Sequence, residues 1–373
     1  MKKIKHIIKE FLPTFFITVS LLLLVDFFVG THLLSFTHQN DLEKKYRVSN
    51  FVYHHSLIPG YEGMGLWGKI EYKICTDIYG FKTRCGQNIQ ESKDFDIAFI
   101  GDSFTEGIGL PFEDTFVGKI ANAMPHTKIA NLGVSSYSPS IYLAKVNELL
   151  NDGFKFKELV VYIDIGDMQD EALSYVYQDG NAYLMMAKVD EQTSVGRWLE
   201  LKRYAKHFFP LMYRALHYIM LLFYPLEAKI SESGITYTHR DWDRSSWTYN
   251  SESPGYGLIG VDGAVKKSVR IMTQLSDLTV KHGIKLSVGV YPWPGQLLYD
   301  GRDSRQVEVW REFCEKRCTH FYNSFPSFFE KVNKYGAPGA IDRYFIKGDP
   351  HHNSSGTDIV STDFLTEYRK VTP

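Results

Sequence analysis

Several short segments of this chain are apolar from end to end and stop abruptly at a glycine or a proline. Asp96-Ile97-Ala98-Phe99-Ile100 runs into Gly101, and Lys128-Ile129-Ala130-Asn131-Leu132 runs into Gly133. Leu159 to Ile165 is almost continuously apolar, and Ile284 to Tyr291 is stopped by Pro292. A strand with no polar face has to be covered on both sides, which an antiparallel hairpin surface does not provide. Between these segments the apolar spacing turns helical, over Thr115 to Met124, over Pro139 to Leu150 with proline at its start, and over Ala264 to His282. A shorter strand near His320 to Tyr322 and a terminal helix over Ser354 to Tyr368 complete the pattern. The expected fold class is α/β, a three-layer α/β/α sandwich with a parallel sheet. In such sheets the reactive groups collect just beyond the C-terminal strand ends.

The chain has 373 residues, 44% of them hydrophobic, enough for such a body and an appendage. The appendage is expected at the front. Lys2, Lys3, Lys5 and Lys9 precede an uncharged run from Phe11 to Val25, and after Asp26 apolar residues resume from Phe27 to Phe36 with His32 among them. These make about 26 residues, or roughly 39 Å of helix, against a hydrocarbon core of about 30 Å. A cleaved signal peptide is the competing reading. No small-x-small site follows the run, however, and Val25-Asp26-Phe27-Phe28 is bulky. The expected organisation is therefore a cytoplasmic tail over 1–10 and a transmembrane anchor over 11–36. A stalk and small extension follow over 37–94, then the main body over 95–373. The preceding lysines orient the N-terminus inward, with everything beyond residue 36 outside the cytoplasmic membrane and the lipid bilayer as a partner. An insertion at about 171–255 is rich in aromatics and leucines. It reads as an amphipathic helical cap, or else as a helix on a membrane surface or lining an acyl or glycan groove. Lys+Arg 42 against Asp+Glu 43 leaves a net charge of -1, which argues against a nucleic-acid partner. Cys75 with Cys85 and Cys314 with Cys318 could form disulfides outside the cytoplasm, or all four could be buried thiols; neither spacing suggests zinc.

The chemistry-bearing residues stand at strand ends. Gly101-Asp102-Ser103-Phe104-Thr105-Glu106-Gly107 sets a serine on a strand-to-helix turn, where free N–H groups and the helix dipole favour a developing oxyanion. A serine needs a base, and Gly348-Asp349-Pro350-His351-His352-Asn353 places an aspartate and two histidines on one loop before the last helix. With Asn131-Leu132-Gly133-Val134-Ser135 at a second strand end, matches fall at 97–109, 128–139 and 345–357. On these blocks the chain resembles the SGNH, or GDSL-type, hydrolases. Tyr291-Pro292-Trp293-Pro294 is similar to a segment of membrane-anchored members found near glycan-assembly genes. The resemblance implies a flavodoxin-like sheet and a catalytic triad of Ser103, His351 and Asp349. The D-x-H-x-N form selects His351 as base; a D-x-x-H form would select His352.

The third block departs from the family. Asp164-Ile165-Gly166-Asp167-Met168-Gln169-Asp170 has Gly166 where the family carries an asparagine that donates to the oxyanion, and Gln169 is the nearest amide. The oxyanion hole so implied consists of the N–H groups of Ser103 and Gly133, with Gln169 as a candidate third donor. No metal site is expected, since adjacent Asp349, His351 and His352 aim poorly at one ion, and no cofactor is expected either. The function implied is a membrane-anchored ester hydrolase acting on an acyl ester, acetyl above all, on a cell-surface glycan. Two alternatives remain open, an O-acyltransferase of glycan modification and a non-catalytic glycan-binding or assembly protein that keeps the fold.

Overall fold

Five of the apolar segments form one parallel sheet: β1 (Asp94–Ile100), β2 (Ile129–Asn131), β3 (Lys155–Tyr162), β4 (Lys285–Val290) and β5 (His320–Asn323). Their spatial order is β2-β1-β3-β4-β5. The register sets Ala98 of β1 between Ala130 and Leu159, and Val288 of β4 between Val161 and Phe321. Ala98, Phe99, Leu159, Val161 and Val288 have no exposed surface, and burying each of the larger side chains contributes about 1.5–3 kcal/mol. Helix Phe116–Ala123 packs with Ser354–Val371, whereas Pro139–Asn151 packs with Gly260–Lys281. Right-handed crossovers require this division, because the chain leaves β1 toward one edge and then returns past it to reach β3. The reversal creates a switch point between β1 and β3, the crevice where ligands bind in open α/β sheets.

This computed structural model describes residues 2–28, 45–68, 70–86, 92–184, 209, 211–212, 244–253 and 255–371. The chain divides into one unit of 1–38 with 187–227 and another of 39–186 with 228–373. In the first unit, helix Lys2–Val25 covers the front of the expected span, with Phe15, Phe16, Leu21 and Leu22 exposed. Buried Asp26 accepts the N–H groups of Leu211 and Met212 at 2.8 and 2.6 Å. Among the described residues no helix is long and apolar enough to cross a membrane. Residues 29–36 of the expected anchor, 37–44 of the stalk and most of the insertion, including all of its centre at 197–230 except 209 and 211–212, lie outside the described residues.

In the second unit, the extension before β1 is a hairpin (Arg47–Asn50 with His54–Leu57) and a small antiparallel sheet (Glu62–Trp67, Ile70–Thr76, Lys82–Thr83). Disulfides join Cys75 to Cys85 and Cys314 to Cys318. β3 ends at Tyr162, three residues before the expected Ile165. Beyond it the backbone leaves the ladder for side-chain acceptors: Asp164 N donates to Asp167 Oδ2 at 3.0 Å, and Gly166 N to Asp164 Oδ1 at 2.6 Å. Helix Phe325–Tyr344 was masked in the sequence by Gly336 and Pro338, where the backbone kinks with Gly336 at φ 72°.

Gly101 carries the tightest approach at the switch point. A Cβ there would lie 2.1 Å from Thr105 Oγ1 and 2.7 Å from the Tyr162 carbonyl oxygen. Gly101→Ala is expected to lower the unfolding free energy by about 2 kcal/mol or more in urea titrations. Gly301→Ala, whose side is open, should change it by no more than about 0.5 kcal/mol.

Candidate active site

The turn after β1 is built by Asp102. Its carboxylate accepts the Phe104 N–H at 2.9 Å and caps the short helix Ser103–Glu106, which ends at Gly107 in the left-handed conformation, φ 75°. Ser103 thus stands at the first turn of that helix, nearly buried, with its backbone N–H free of any intrahelical acceptor. The loop before the last helix arrives from the other side. His351 Nε2 lies 2.7 Å from Ser103 Oγ, and His351 Nδ1 lies 2.5 Å from Asp349 Oδ1. The His351 backbone N–H donates to the same Asp349 oxygen at 2.9 Å. Because Asp349 accepts the hydrogen bond from Nδ1–H, Nε2 is left as the acceptor that a hydroxyl nucleophile requires. Ser103 Oγ also lies 3.1 Å from Asp102 Oδ2, so its single hydrogen serves one of two neighbours.

Asp349 has a second holder that the motif did not disclose. Trp67, at the end of strand Glu62–Trp67, donates its indole N–H to Asp349 Oδ2 at 2.8 Å and sets its ring edge-on to His351 at 5.2 Å. Burial pushes the Asp349 carboxyl up, but the hydrogen bonds from His351 and Trp67 outweigh it and hold the group below the usual aspartate range. His352 points elsewhere. Its ring packs among Phe104, Tyr291, Phe328 and Phe345, and burial lowers it to about 3, leaving it a neutral core residue.

The expected oxyanion donors are distributed differently from the sequence reading. Gly133 packs so closely on the nucleophile helix that a Cβ would lie 2.7 Å from Thr105 Cβ, but its N–H is given to Asn131 Oδ1 at 3.0 Å. In this structure the Gly133 N–H, expected as an oxyanion donor, lies on Asn131. Gln169 is buried in the first turn of helix Asp167–Leu173, and its side-chain amide makes no hydrogen bond to Ser103, His351 or Asp349 among the described residues. What surrounds Gly166 instead is charge. Asp102, Asp164 and Asp167 bring carboxylate oxygens within 4.8 Å of one another, all buried. Burial pushes all three carboxyls up; for Asp164 and Asp167 the repulsion of neighbouring aspartates adds to it. Arg244 enters from the insertion and pairs with Asp170 at 2.5 Å. Trp293 donates to Asp164 Oδ2 at 2.5 Å, and Tyr142 to Asp167 Oδ2 at 2.7 Å. Arg244 and Trp67 escaped sequence reasoning because neither lies in a recognisable block. Tyr291 and Trp293 were noticed only as part of a similar segment.

The wider clamp on the turn runs through Glu106. Arg47 grips it with two hydrogen bonds of 2.9 and 3.0 Å, and Ser135 N donates to it at 2.7 Å. Burial alone would raise the Glu106 carboxyl, yet Arg47 and Lys82 hold it below its ordinary value.

No family model matches the sequence, and a search of curated proteins finds no match. Among solved structures, the chain is similar to a catalytic mutant of Axe2, an acetylxylan esterase from Geobacillus stearothermophilus. The TM-score is 0.40 and the identity 12%, over 73% of this chain and 93% of that one. It is also similar to a member of the lipolytic protein G-D-S-L family from Veillonella parvula, with TM-score 0.40 and 9% identity over 74% and 99%. A third is the psychrotrophic esterase EstA from Pseudoalteromonas sp., with TM-score 0.36 and 11% identity over 75% and 98%.

The burial of His352 generates a pH dependence. Unfolded, the imidazole takes a proton below about 6.5; folded, it refuses one until about 3. Between those values the unfolded state binds the extra proton, so this contribution is complete at neutral pH and is lost as pH falls. His352→Phe should abolish it. The stability difference between wild type and variant should shift against wild type by roughly 2 kcal/mol between pH 7 and pH 5, read from denaturant midpoints.

Proposed function

We propose that the protein is a serine ester hydrolase, with Ser103 as nucleophile, His351 as general base and acid, and Asp349 as the group that orients and charges the imidazole. The observation that carries this reading is the unbroken hydrogen-bonded chain Ser103–His351–Asp349, at 2.7 and 2.5 Å. Ser103 Oγ adds to the ester carbonyl carbon as its proton passes to His351 Nε2, and the carbonyl π pair moves onto oxygen. Collapse breaks the ester C–O bond, His351 protonates the leaving alcohol, and an acyl-serine remains. Water, deprotonated by His351, repeats the addition and releases the acid.

The substrate we infer is a small acyl ester, an acetyl group on a glycan. The resemblance to anchored glycan-modifying members supports this. The location proposed is the outer side of the cytoplasmic membrane, with the segment 11–36 as a single-pass anchor and the body on the far side. Support comes from the lysines ahead of the apolar run, from the exposed apolar side chains of Lys2–Val25, and from two disulfides, which persist in oxidising compartments.

A fluorophosphonate probe should label Ser103 in the wild type, and Ser103→Ala and His351→Ala should each abolish both labelling and turnover of a panel of acetyl esters. An unlabelled wild type without turnover would leave a binding protein. Trp67→Phe removes one donor to the charged Asp349 while keeping an aromatic ring. It should lower kcat about tenfold with little change in KM. After a high-salt wash the full chain should stay with membranes; release into the supernatant would overturn the anchor.

A further inference from the structure

The third-block position holds glycine for a reason visible in its surroundings. A Cβ on Gly166 would lie 2.7 Å from Arg244 Nη2, 2.8 Å from Asp164 Oδ1 and 3.0 Å from Arg244 Nε. The guanidinium therefore occupies the space into which a side chain at 166 would grow. Arg244 is held through one nitrogen: Nη2 donates to Asp170 Oδ2 at 2.5 Å and to the Gly166 carbonyl at 3.4 Å, while the guanidinium carbon lies 6.0 Å from the Trp293 ring centre and feels the charge of Asp164, Asp102 and Asp167 nearby. Its Nε is buried with no hydrogen-bond partner, and Nη1 makes no hydrogen bond among the described residues. A guanidinium carries five N–H donors in a rigid fork, and a buried donor left without an acceptor is costly. At the end of β3, beside the turn that carries the nucleophile, the group that would relieve it is an anion formed in the crevice.

We propose that Arg244 is the oxyanion donor that complements the Ser103 N–H, a guanidinium delivered from the insertion in place of a side-chain amide at position 166. It rests on the serine-hydrolase reading and deepens it. When Ser103 Oγ bonds to the carbonyl carbon and the π pair moves to oxygen, the free N–H groups of Arg244 meet the new negative charge together with the Ser103 N–H. The interaction strengthens only as that charge appears, so it acts on kcat rather than on substrate binding. The same reasoning explains the Gly133 N–H, which can stay with Asn131 because a charged donor has taken over its share.

The swap of one donor for the other tests this. Arg244→Ala should lower kcat by about a hundredfold or more, with KM nearly unchanged. Gly166→Asn alone should also be impaired, because its Cβ meets the guanidinium. The double variant Gly166→Asn with Arg244→Ala should recover at least about tenfold in kcat over Arg244→Ala, since the two guanidinium contacts are then gone, the Asp164 side chain alone has to shift, and the amide supplies a donor. Thermal unfolding checks that each variant is folded. If Arg244→Ala does not fold because Asp170 loses its partner, Arg244→Lys keeps the charge while losing the fork and should still lose kcat. A folded Arg244→Ala or Arg244→Lys with full kcat overturns the proposal, as does a kcat loss that asparagine at 166 does not restore. Failure of the hydrolase reading itself looks different: the wild type then shows neither turnover nor labelling of Ser103.

Discussion

The site depends on one close approach, the packing of Gly101 against the Tyr162 carbonyl and Thr105. With no side chain there, β1 can stop one residue before the nucleophile turn and still lie flush against β3. Asp102 then caps the short helix, and Ser103 takes its first turn. The rest of the molecule holds that turn in place. Arg47 reaches Glu106 from the N-terminal hairpin, Ser135 reaches it from the loop after β2, and Lys82 donates to the Gly107 and Leu110 carbonyls at 2.8 and 2.7 Å. Buried ion pairs of this kind contribute little net stability, but removing one partner strands a charge, so they specify geometry. The extension before β1 is therefore part of the candidate site: it supplies Arg47 and Lys82 to the turn and Trp67 to Asp349.

The second constraint is electrostatic. The oxyanion proposed to form at Ser103 would be poorly served by three charged carboxylates, yet Asp102, Asp164 and Asp167 crowd the ends of β1 and β3. Burial raises all three groups, repulsion by neighbouring aspartates adds to it for Asp164 and Asp167, and their neutral forms are favoured, while Asp170 pairs with Arg244. A carboxyl kept neutral in an apolar setting no longer opposes negative charge nearby. Asp349 is treated in the opposite way, its charge maintained by His351 and Trp67. Environment thus separates like side chains into different roles around one serine.

Much of this was legible in the sequence where a local pattern has one physical meaning. Apolar segments ending in glycine announced β1, β2 and β3, one ending in proline announced β4, and Thr115, which accepts the Gly118 N–H, marked the start of the helix at Phe116. Ser103, Asp349 and His351 stand in blocks whose strand–turn–helix setting can be read directly, and the structure places the three in contact. The remainder depended on distance along the chain. Trp67 meets Asp349 across 282 residues and Arg244 meets Gly166 across 78, and no periodicity reports such pairs. The spacing of Gly133 after β2 suggested a free N–H, but that spacing could not show that Asn131, two residues earlier, folds back to accept it. Gly166 looked like a lost donor until the guanidinium filling its space came into view.

In the proposed reaction Ser103 becomes acylated and then deacylated. The direct measurement is intact-mass spectrometry of the full chain, acid-quenched during turnover of an activated acetyl ester, followed by peptide mapping. The account predicts a transient mass increase of one acetyl group located on the peptide containing Ser103, decaying as substrate is exhausted and missing when His351 is replaced by alanine. Acetate released by the wild type with no such adduct, or an adduct on another residue, would contradict it.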